Sequence, residues 1–270
     1  MQNCFIEQLG IDAVYTAFHV DSEHLKACID GMRAMGISGL NVTIPHKEAV
    51  LPFVDELSDQ VRLLGAANTL KNLNGRIEAH VTDPYGFIES LGENRSRFAG
   101  SQVLMFGAGG AAKSVAFALK QLGIERLLIT DIIDAKAKNL VALCTDRFGL
   151  NETIFIKEAG ASIKKLLTDC KVVINATAVG MQPLLDKSVV NDFSAVTKDH
   201  FFYDLVYNPG KTQFLRQAEA AGARIKNGLD MLIFQGLQSL RIWTNQQLHL
   251  TDAQLMNIRT LMKQQLGIHE

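Results

Sequence analysis

The chain lacks any unbroken run of about 18 apolar residues, and no basic segment precedes an apolar one at its start. Neither a membrane-spanning helix nor a secretory signal is therefore expected. It has little cysteine: Cys4, Cys28, Cys144 and Cys170 form no C-x-x-C pair, and a chain of this size needs no disulfide staples. Buried free thiols in a reducing compartment, the cytoplasm, are expected. Charge of one sign is missing as well. Lys+Arg number 27 against 28 Asp+Glu, interspersed, for a net charge of -1, which leaves no electrostatic footprint for nucleic acid or an anionic membrane surface. The seven histidines show no H-E-x-x-H or paired spacing, so no metal site is expected. There is no internal repeat or low-complexity tract.

What is present is enough apolar material, 47% of 270 residues, to fill the cores of two modest domains or one large one. The chain is organised around Val103-Leu104-Met105-Phe106-Gly107-Ala108-Gly109-Gly110-Ala111-Ala112-Lys113-Ser114. A short apolar strand runs into a glycine turn, and a helical pattern then carries Val115, Leu119 and Leu122 on one face. Gly107 permits the tight turn, Gly109 lets backbone approach a pyrophosphate, and small Ala112 lets helix and strand pack closely while the helix N-terminus faces the anion. Asp131 ends the next apolar run, Leu127 to Thr130, at about the distance a dinucleotide fingerprint requires. The plainer alternative is a tight strand-to-helix turn without a ligand.

In chain order, Cys4, Phe5 and Leu9 mark an amphipathic helix, and Ala13 to Val20 reads as a strand. A helix opens at Asp21 or Ser22 and closes at Gly36. A strand from Ser38 ends at Pro45, which cannot donate to a ladder but suits a first helical turn. Ala49 to Glu56 and Asp59 to Gly65 read as helices, and Ala66 to Leu70 as a strand. Asn74-Gly75 between Leu70–Leu73 and Arg76–Val81 signals a hairpin, because both turn positions favour positive φ. Pro84 then starts a helix that Asp83 would cap. The polar, aperiodic stretch from Gly92 to Gly100 reads as a domain boundary.

Beyond it, helices over Asp134–Phe148 and Ala161–Thr168 alternate with strands over Thr153–Ile156, Lys171–Thr177 and Phe201–Val206. That alternation implies a parallel, doubly wound sheet. A helix over Thr212–Ala221 and a strand over Ala223–Ile225 complete it. Two helical regions follow, one from Gly228 and one over Asp252–Leu266, and they are expected to return to the first domain.

Lys47, Asn68 and Asp83 all fall at strand-to-helix junctions, where an α/β sheet presents residues to a crevice beyond the strands' carboxyl ends. A lysine beside a carboxylate can move a proton to or from an alcohol oxygen while a nicotinamide carries the hydride. Taken singly, Lys47 is also readable as a solvated helix-start lysine, Asp83 as an ordinary N-cap, and Asn68 as a residue satisfying turn backbone. His46 and His80 read as supporting or core residues, and Gln235 could be a surface glutamine.

The residues then resemble a known family, the shikimate and quinate dehydrogenases. Asn41-Val42-Thr43-Ile44-Pro45-His46-Lys47 matches N-V-T-x-P-x-K, Gly65-Ala66-Ala67-Asn68-Thr69 matches G-A-x-N-T, and Thr82-Asp83-Pro84-Tyr85-Gly86 matches T-D-x-x-G. The nucleotide turn, Asn175 to Met181, Asp204 to Pro209 and Gly228 to Gln235 fall in family order. The resemblance implies an α/β chain of two domains. One is an N-terminal substrate domain of residues 1–98 plus 228–270, and the other a Rossmann-like, doubly wound dinucleotide-binding domain of residues 99–227. It implies that Lys47 and Asp83 form the catalytic pair and that Thr43, Asn68, Asp83, Tyr207 and Gln235 contact shikimate or quinate. For the cofactor it implies Gly107, Ala108, Gly109, Gly110, Ala111, Asp131, Asn175, Thr177, Val206 and Gly228, with the turn after Asn175 and the Val206 strand end flanking the nicotinamide. A monomer or homodimer is expected.

Two departures from the family pattern bear on function. The family's opening strand and S-x-S motif, which precede the M-x-N matched by Met1-Gln2-Asn3, are not in this chain; a truncated or wrongly started reading frame is the expectation. Those serines hold the substrate carboxylate through charge-assisted hydrogen bonds worth about 1.5–3 kcal/mol each. The second departure lies where NADP-binding members carry N-R-T and a further arginine. This chain has Asp131, Ile132, Ile133 and Lys136. A carboxylate there would accept from a free ribose 2′-hydroxyl and repel a phosphate, so NAD is expected over NADP. The expected reaction is reversible oxidation of a ring hydroxyl of shikimate or quinate. A non-catalytic NAD-binding remnant or sensor is the alternative, and a member of the wider amino-acid and folate dehydrogenase group is a third reading.

Overall fold

The computed structural model describes residues 1–157 and 163–268. By Cα proximity the chain falls into two units, Met1–Gly86 with Ile233–Ile258, and Phe87–Leu232 with Arg259–Glu270. In this grouping residues 87–98 go with the second unit.

The first unit contains α1 (Gln2–Gln8), α2 (Leu25–Ala34), β1 (Gly39–Asn41), α3 (His46–Ala49), β2 (Glu56–Leu57), α4 (Asp59–Leu64), β3 (Thr69–Leu73) and β4 (Arg76–His80). The hairpin signal is realised: Asn74 and Gly75 take φ of 53° and 93°, and Leu73 pairs with Arg76 in an antiparallel ladder that carries Thr69 opposite His80. The sheet order is β1-β3-β4-β2, with β1 antiparallel to β3 and Asn41 opposite Thr69. Helix α4 is bounded as its sequence dictates, by Ser58 accepting from Val61 N and by Gly65 at φ 69°. Phe5, Ile29, Met32, Val50, Val61, Leu70, Ile77 and Ala79 are buried.

Two expectations for this unit are corrected. Ala13 to Val20 joins no ladder. Within it Tyr15 exchanges backbone bonds only with the Asn3 side chain, while Val14 and Phe18 are exposed; apolar alternation favours extended chain but does not supply a partner strand. The helix expected over Ala49–Glu56 is instead the end of α3, a 3₁₀ turn over Leu51–Phe53, and the start of β2. Pro52 has no N–H to donate, and its ring obstructs the preceding turn.

The second unit is the doubly wound sheet. It contains β5 (Gln102–Phe106), α6 (Gly110–Gln121), β6 (Arg126–Thr130), α7 (Asp134–Asp146), β7 (Thr153–Phe155), α8 (Ile163–Asp169), β8 (Val172–Asn175), β9 (Phe201–Asp204), α9 (Gln213–Ala220) and β10 (Arg224–Lys226). Ala161 and Ser162, expected to open α8, lie outside the described residues. The strand order is β10-β9-β8-β5-β6-β7, all parallel. The continuous apolar runs of β5, β6, β8 and β9 are explained by burial on both faces. One side packs Leu104, Phe106, Val173, Phe202, Phe214 and Leu215 into a single cluster, each such side chain contributing about 1.5–3 kcal/mol. The order reverses between β5 and β8, which makes their carboxyl ends the switch point where such sheets bind ligands.

Three further helices, α5 (Asp83–Ser90), α10 (Leu229–Thr244) and α11 (Asp252–Gln265), carry residues of both units. Among the described residues no helix is long and apolar enough to cross a membrane.

Candidate functional site

In the first unit the antiparallel register sets Asn68, one residue before β3, beside Thr82, two residues after β4, with Asn68 N donating to His80 O. Thr82 N donates to Asn68 Oδ1 at 2.9 Å. Because a backbone N–H can only donate, this bond fixes the orientation of the Asn68 amide. Its Nδ2 must then face the other way, where it meets Asp83 Oδ1 at 2.8 Å. The second carboxylate oxygen, Asp83 Oδ2, accepts from Lys47 Nζ at 2.7 Å. Lys47 is brought there by α3, whose Lys47 O accepts from Ala67 N. Its side chain is 30% exposed and that of Asp83 14%, so the pair is held by the protein yet open to a small molecule.

Gln235 Oε1 on α10 lies 3.3 Å from Asn68 Nδ2. Below these groups a buried chain of hydroxyls and amides runs inward. Ser239, one turn on from Gln235, meets Thr69 Oγ1 at 2.8 Å and accepts from Asn41 Nδ2 at 3.0 Å. Thr69, Thr82 and Ser239 are fully buried, and their satisfied hydroxyls hold Asn68 in one pose. Thr43 is exposed. His46 Nε2 meets Val20 O at 2.8 Å, a supporting contact. Burial lowers the pKa of His80, partly offset by Glu78, whose carboxylate is 3.5 Å away.

In the second unit Gly107 has φ 101°, and a Cβ there would stand 2.8 Å from Ala176 O, so only glycine fits between the β5 and β8 turns. Helix α6 begins with no side-chain cap on Gly109, and a Cβ on Gly109 or Gly110 would meet nothing within 4 Å. The start of α6 thus leaves open space beside Gly109 and Gly110, and a helix N-terminus with room beside it suits a diphosphate. Asp131 Oδ2 accepts from Ala108 N and its Oδ1 from Ile133 N, each at 2.8 Å.

Asn175 is absorbed by its own turn and by Asp204 at the end of β9. Its Nδ2 donates to Val179 O and Asp204 Oδ1, and its Oδ1 accepts from Thr177 N and Oγ1. Any part Asn175 has toward a ligand therefore runs through the turn it builds. Val206 O accepts from Gly228 N, and a Cβ on Gly228 would stand 2.1 Å from Leu205 O. Tyr207 follows Val206 and is half-buried.

Lys47, Asn68, Asp83 and Gln235 are thus brought together in the first unit, and the nucleotide-turn residues cluster in the second. The reading from sequence missed Thr82 and Ser239, and also Asp204, although a lone acid ending the apolar run Phe201-Phe202-Tyr203 was a visible sign of a buried polar group needing partners. Among the described residues no group of three or more His, Cys, Asp or Glu could hold a metal ion.

Comparison with known proteins supplies the family. Residues 1–70 match the profile of the shikimate dehydrogenase substrate binding domain. The shikimate dehydrogenase (NADP(+)) of Caldanaerobacter subterraneus subsp. tengcongensis is 36% identical over 247 residues, 91% of this chain and 86% of that protein. A crystal structure of shikimate dehydrogenase in complex with NADP+ is matched with a TM-score of 0.83 at 34% identity, over 90% of this chain and 84% of that one. Quinate dehydrogenase from Corynebacterium glutamicum in complex with NAD gives a TM-score of 0.85 at 30% identity, over 97% and 92%.

The expected preference for NAD over NADP is overturned by the shikimate dehydrogenase relatives, whose names specify NADP(+), and by the matched shikimate dehydrogenase structure that holds NADP+. The reason lies in Asp131. Both its oxygens are engaged by backbone N–H groups of the adjoining turns, so an acid at this position serves the turn and does not report which ribose is bound.

Proposed function

The chain belongs to the shikimate dehydrogenase family, and on that premise we propose that it catalyses the reversible, NADP-dependent oxidation of the ring hydroxyl of shikimate to 3-dehydroshikimate. Shikimate and NADP+ give 3-dehydroshikimate, NADPH and a proton. The observation that carries this reading is the Lys47–Asp83 pair, 2.7 Å apart and braced by Asn68 on the opposite carboxylate oxygen.

The cofactor, when bound, supplies the hydride or takes it up. In the reducing direction Lys47 Nζ–H donates its proton to the oxygen that becomes the hydroxyl, and in the oxidising direction the same nitrogen receives it. Asp83 keeps Lys47 at that oxygen. Asn68 holds Asp83 so that one oxygen always faces Lys47, and that preorganisation requires no rearrangement during reaction. Thr43, Asn68, Asp83, Tyr207 and Gln235 are assigned to the substrate's hydroxyls and carboxylate. Gly107, Ala108, Gly109, Gly110 and Ala111 are assigned to the diphosphate, with Asp131, Asn175, Thr177, Val206 and Gly228 shaping the turns around the cofactor. Residues 1–98 with 228–270 would form the substrate domain and residues 99–227 the dinucleotide domain.

Quinate is the second reading, favoured by the likeness to a quinate dehydrogenase with a TM-score of 0.85. The test is direct: the purified chain is given NADP+ with each acid in turn, and the absorbance of reduced nicotinamide is followed. Turnover with shikimate is expected. Turnover with quinate alone moves the assignment to quinate, and none with either acid overturns it.

A further inference from the structure

The residue best placed to extend this picture is one the reaction itself does not touch. Asp204 ends β9 with no exposed surface, and among the described residues no cation pairs with it. Its carboxylate is instead the meeting point of three donors, one at the end of β8 and two in the connection between β9 and α9. Asn175 Nδ2, at the end of β8, donates to Oδ1 at 2.9 Å. Val206 N, in the turn that leaves β9, donates to the same oxygen at 3.0 Å. Thr212 Oγ1 donates to Oδ2 at 2.6 Å while capping α9 through Leu215 N.

Two of these donors reach onward to the turn after β8, at the switch point. Asn175 binds Thr177 and Val179 and so shapes the turn that starts at Ala176. That turn is what Gly107 packs against, since a Cβ on Gly107 would lie 2.8 Å from Ala176 O and 2.9 Å from Thr177 Cγ2. Thr212 Cγ2 abuts the other end of the same turn, 2.9 Å from where a Cβ of Gly180 would be. A dinucleotide lies across the reversal in strand order, with its diphosphate over the first glycine turn. Its other half must then extend over β8 and β9, against the turns that Asp204 joins.

We propose that Asp204 is the positioning residue for the nicotinamide half of the cofactor, holding the turns after β8 and β9 at one spacing through Asn175, Val206 and Thr212. This rests on the reading of the chain as an NADP-dependent dehydrogenase. Carboxyl oxygens suit the place, because the Asn175 and Val206 N–H groups can only donate and the Thr212 hydroxyl can donate or accept. The amide that D204N introduces would keep two of the bonds through its oxygen and turn its NH₂ toward Thr212.

The proposal is tested at Thr212, where the bond to Asp204 Oδ2 can be removed with little change in volume. T212V, T212S, D204N and wild type are compared in the complete chain. The measurements are kcat, the KM for NADP+ and for shikimate, calorimetric affinity for NADP+, and the thermal midpoint. Displacing a reacting group by about 1 Å lowers rate by about a hundredfold. T212V is therefore expected to lose about ten- to a hundredfold in kcat/KM for NADP+ with the KM for shikimate within about twofold of wild type, and T212S to restore it. A purely structural role would lower the thermal midpoint of T212V and leave its kinetic constants as they were, or raise both KM values together. Either result overturns the proposal. If wild type binds NADP+ without oxidising shikimate, the functional reading fails, yet the affinities of T212V and T212S for NADP+ still decide the role of Asp204. If wild type does not bind NADP+, both fail.

Discussion

Replacing Asp204 by asparagine should change the way stability depends on pH. Burial pushes the Asp204 carboxyl up from 3.8 to about 7, against the opposing pull of its bonds from Thr212, Val206 and Asn175. In the unfolded chain it titrates near the ordinary value, so between about pH 4.5 and pH 6.5 the folded protein holds a proton that the unfolded chain has lost. Across that window this group lowers folding stability as pH rises, by about 1.4 kcal/mol per pH unit, and reaches a full cost of about 4 kcal/mol above pH 7. The side-chain amide of D204N has no proton to lose. The other titrating groups, including His200, whose pKa burial lowers, are common to both proteins and cancel in the difference.

Urea unfolding of wild type and D204N, followed by circular dichroism at several pH values across the window, should show the variant gaining about 2–3 kcal/mol relative to wild type from about pH 4.5 to pH 6.5. The sign matters: the gain must appear on raising pH. A difference that stays flat would mean that the three donors support the ionised carboxylate fully, and would refute the argument from burial.

Two other outcomes are expected. Lys47→Ala should lower kcat by about 10²–10⁴-fold with little change in the KM for shikimate, as for a group whose main work is at the transition state; a large rise in KM at unchanged kcat would make Lys47 a binding residue. Gly228→Ala forces a Cβ to within 2.1 Å of Leu205 O, so backbone must move, at about 1–3 kcal/mol and a several-degree fall in Tm by calorimetry; an unchanged Tm would show that this approach is not rigid.

The elements that were legible in the sequence are those whose signals are local. Asn74-Gly75 turns a hairpin because of the φ values it favours, and the strand and helix periods around Gly107 survive burial on both faces of a parallel sheet. Lys47, Asn68 and Asp83 were legible through their place at strand ends, and their contact required the β3–β4 register to bring residues 68 and 82 side by side. Failures came where a partner decides. Residues 13–20 have the alternation of a strand without a ladder to join. Pro52 interrupts a stretch whose apolar spacing alone reads as helix. The acid at 131 has the right spacing for a ribose contact, but spacing does not reveal that Ala108 and Ile133 already occupy its oxygens. The partners of Asp204 were not legible, because they come from the end of β8 and from the separate β9–α9 connection.

The close fits at Gly107 against Ala176 and at Gly228 against Leu205 also bear on how such a protein can change over generations. Each turn at the carboxyl edge of the sheet is shaped to the backbone of another, so transplanting the glycine turn alone from a protein with different cofactor habits would strand it against a mismatched wall. The segments would have to be exchanged as a set. Ile132, by contrast, is 89% exposed, and drift there would disturb none of these fits. Single substitutions can therefore accumulate on that outward-facing stretch, while the close-fitted turns can change only together.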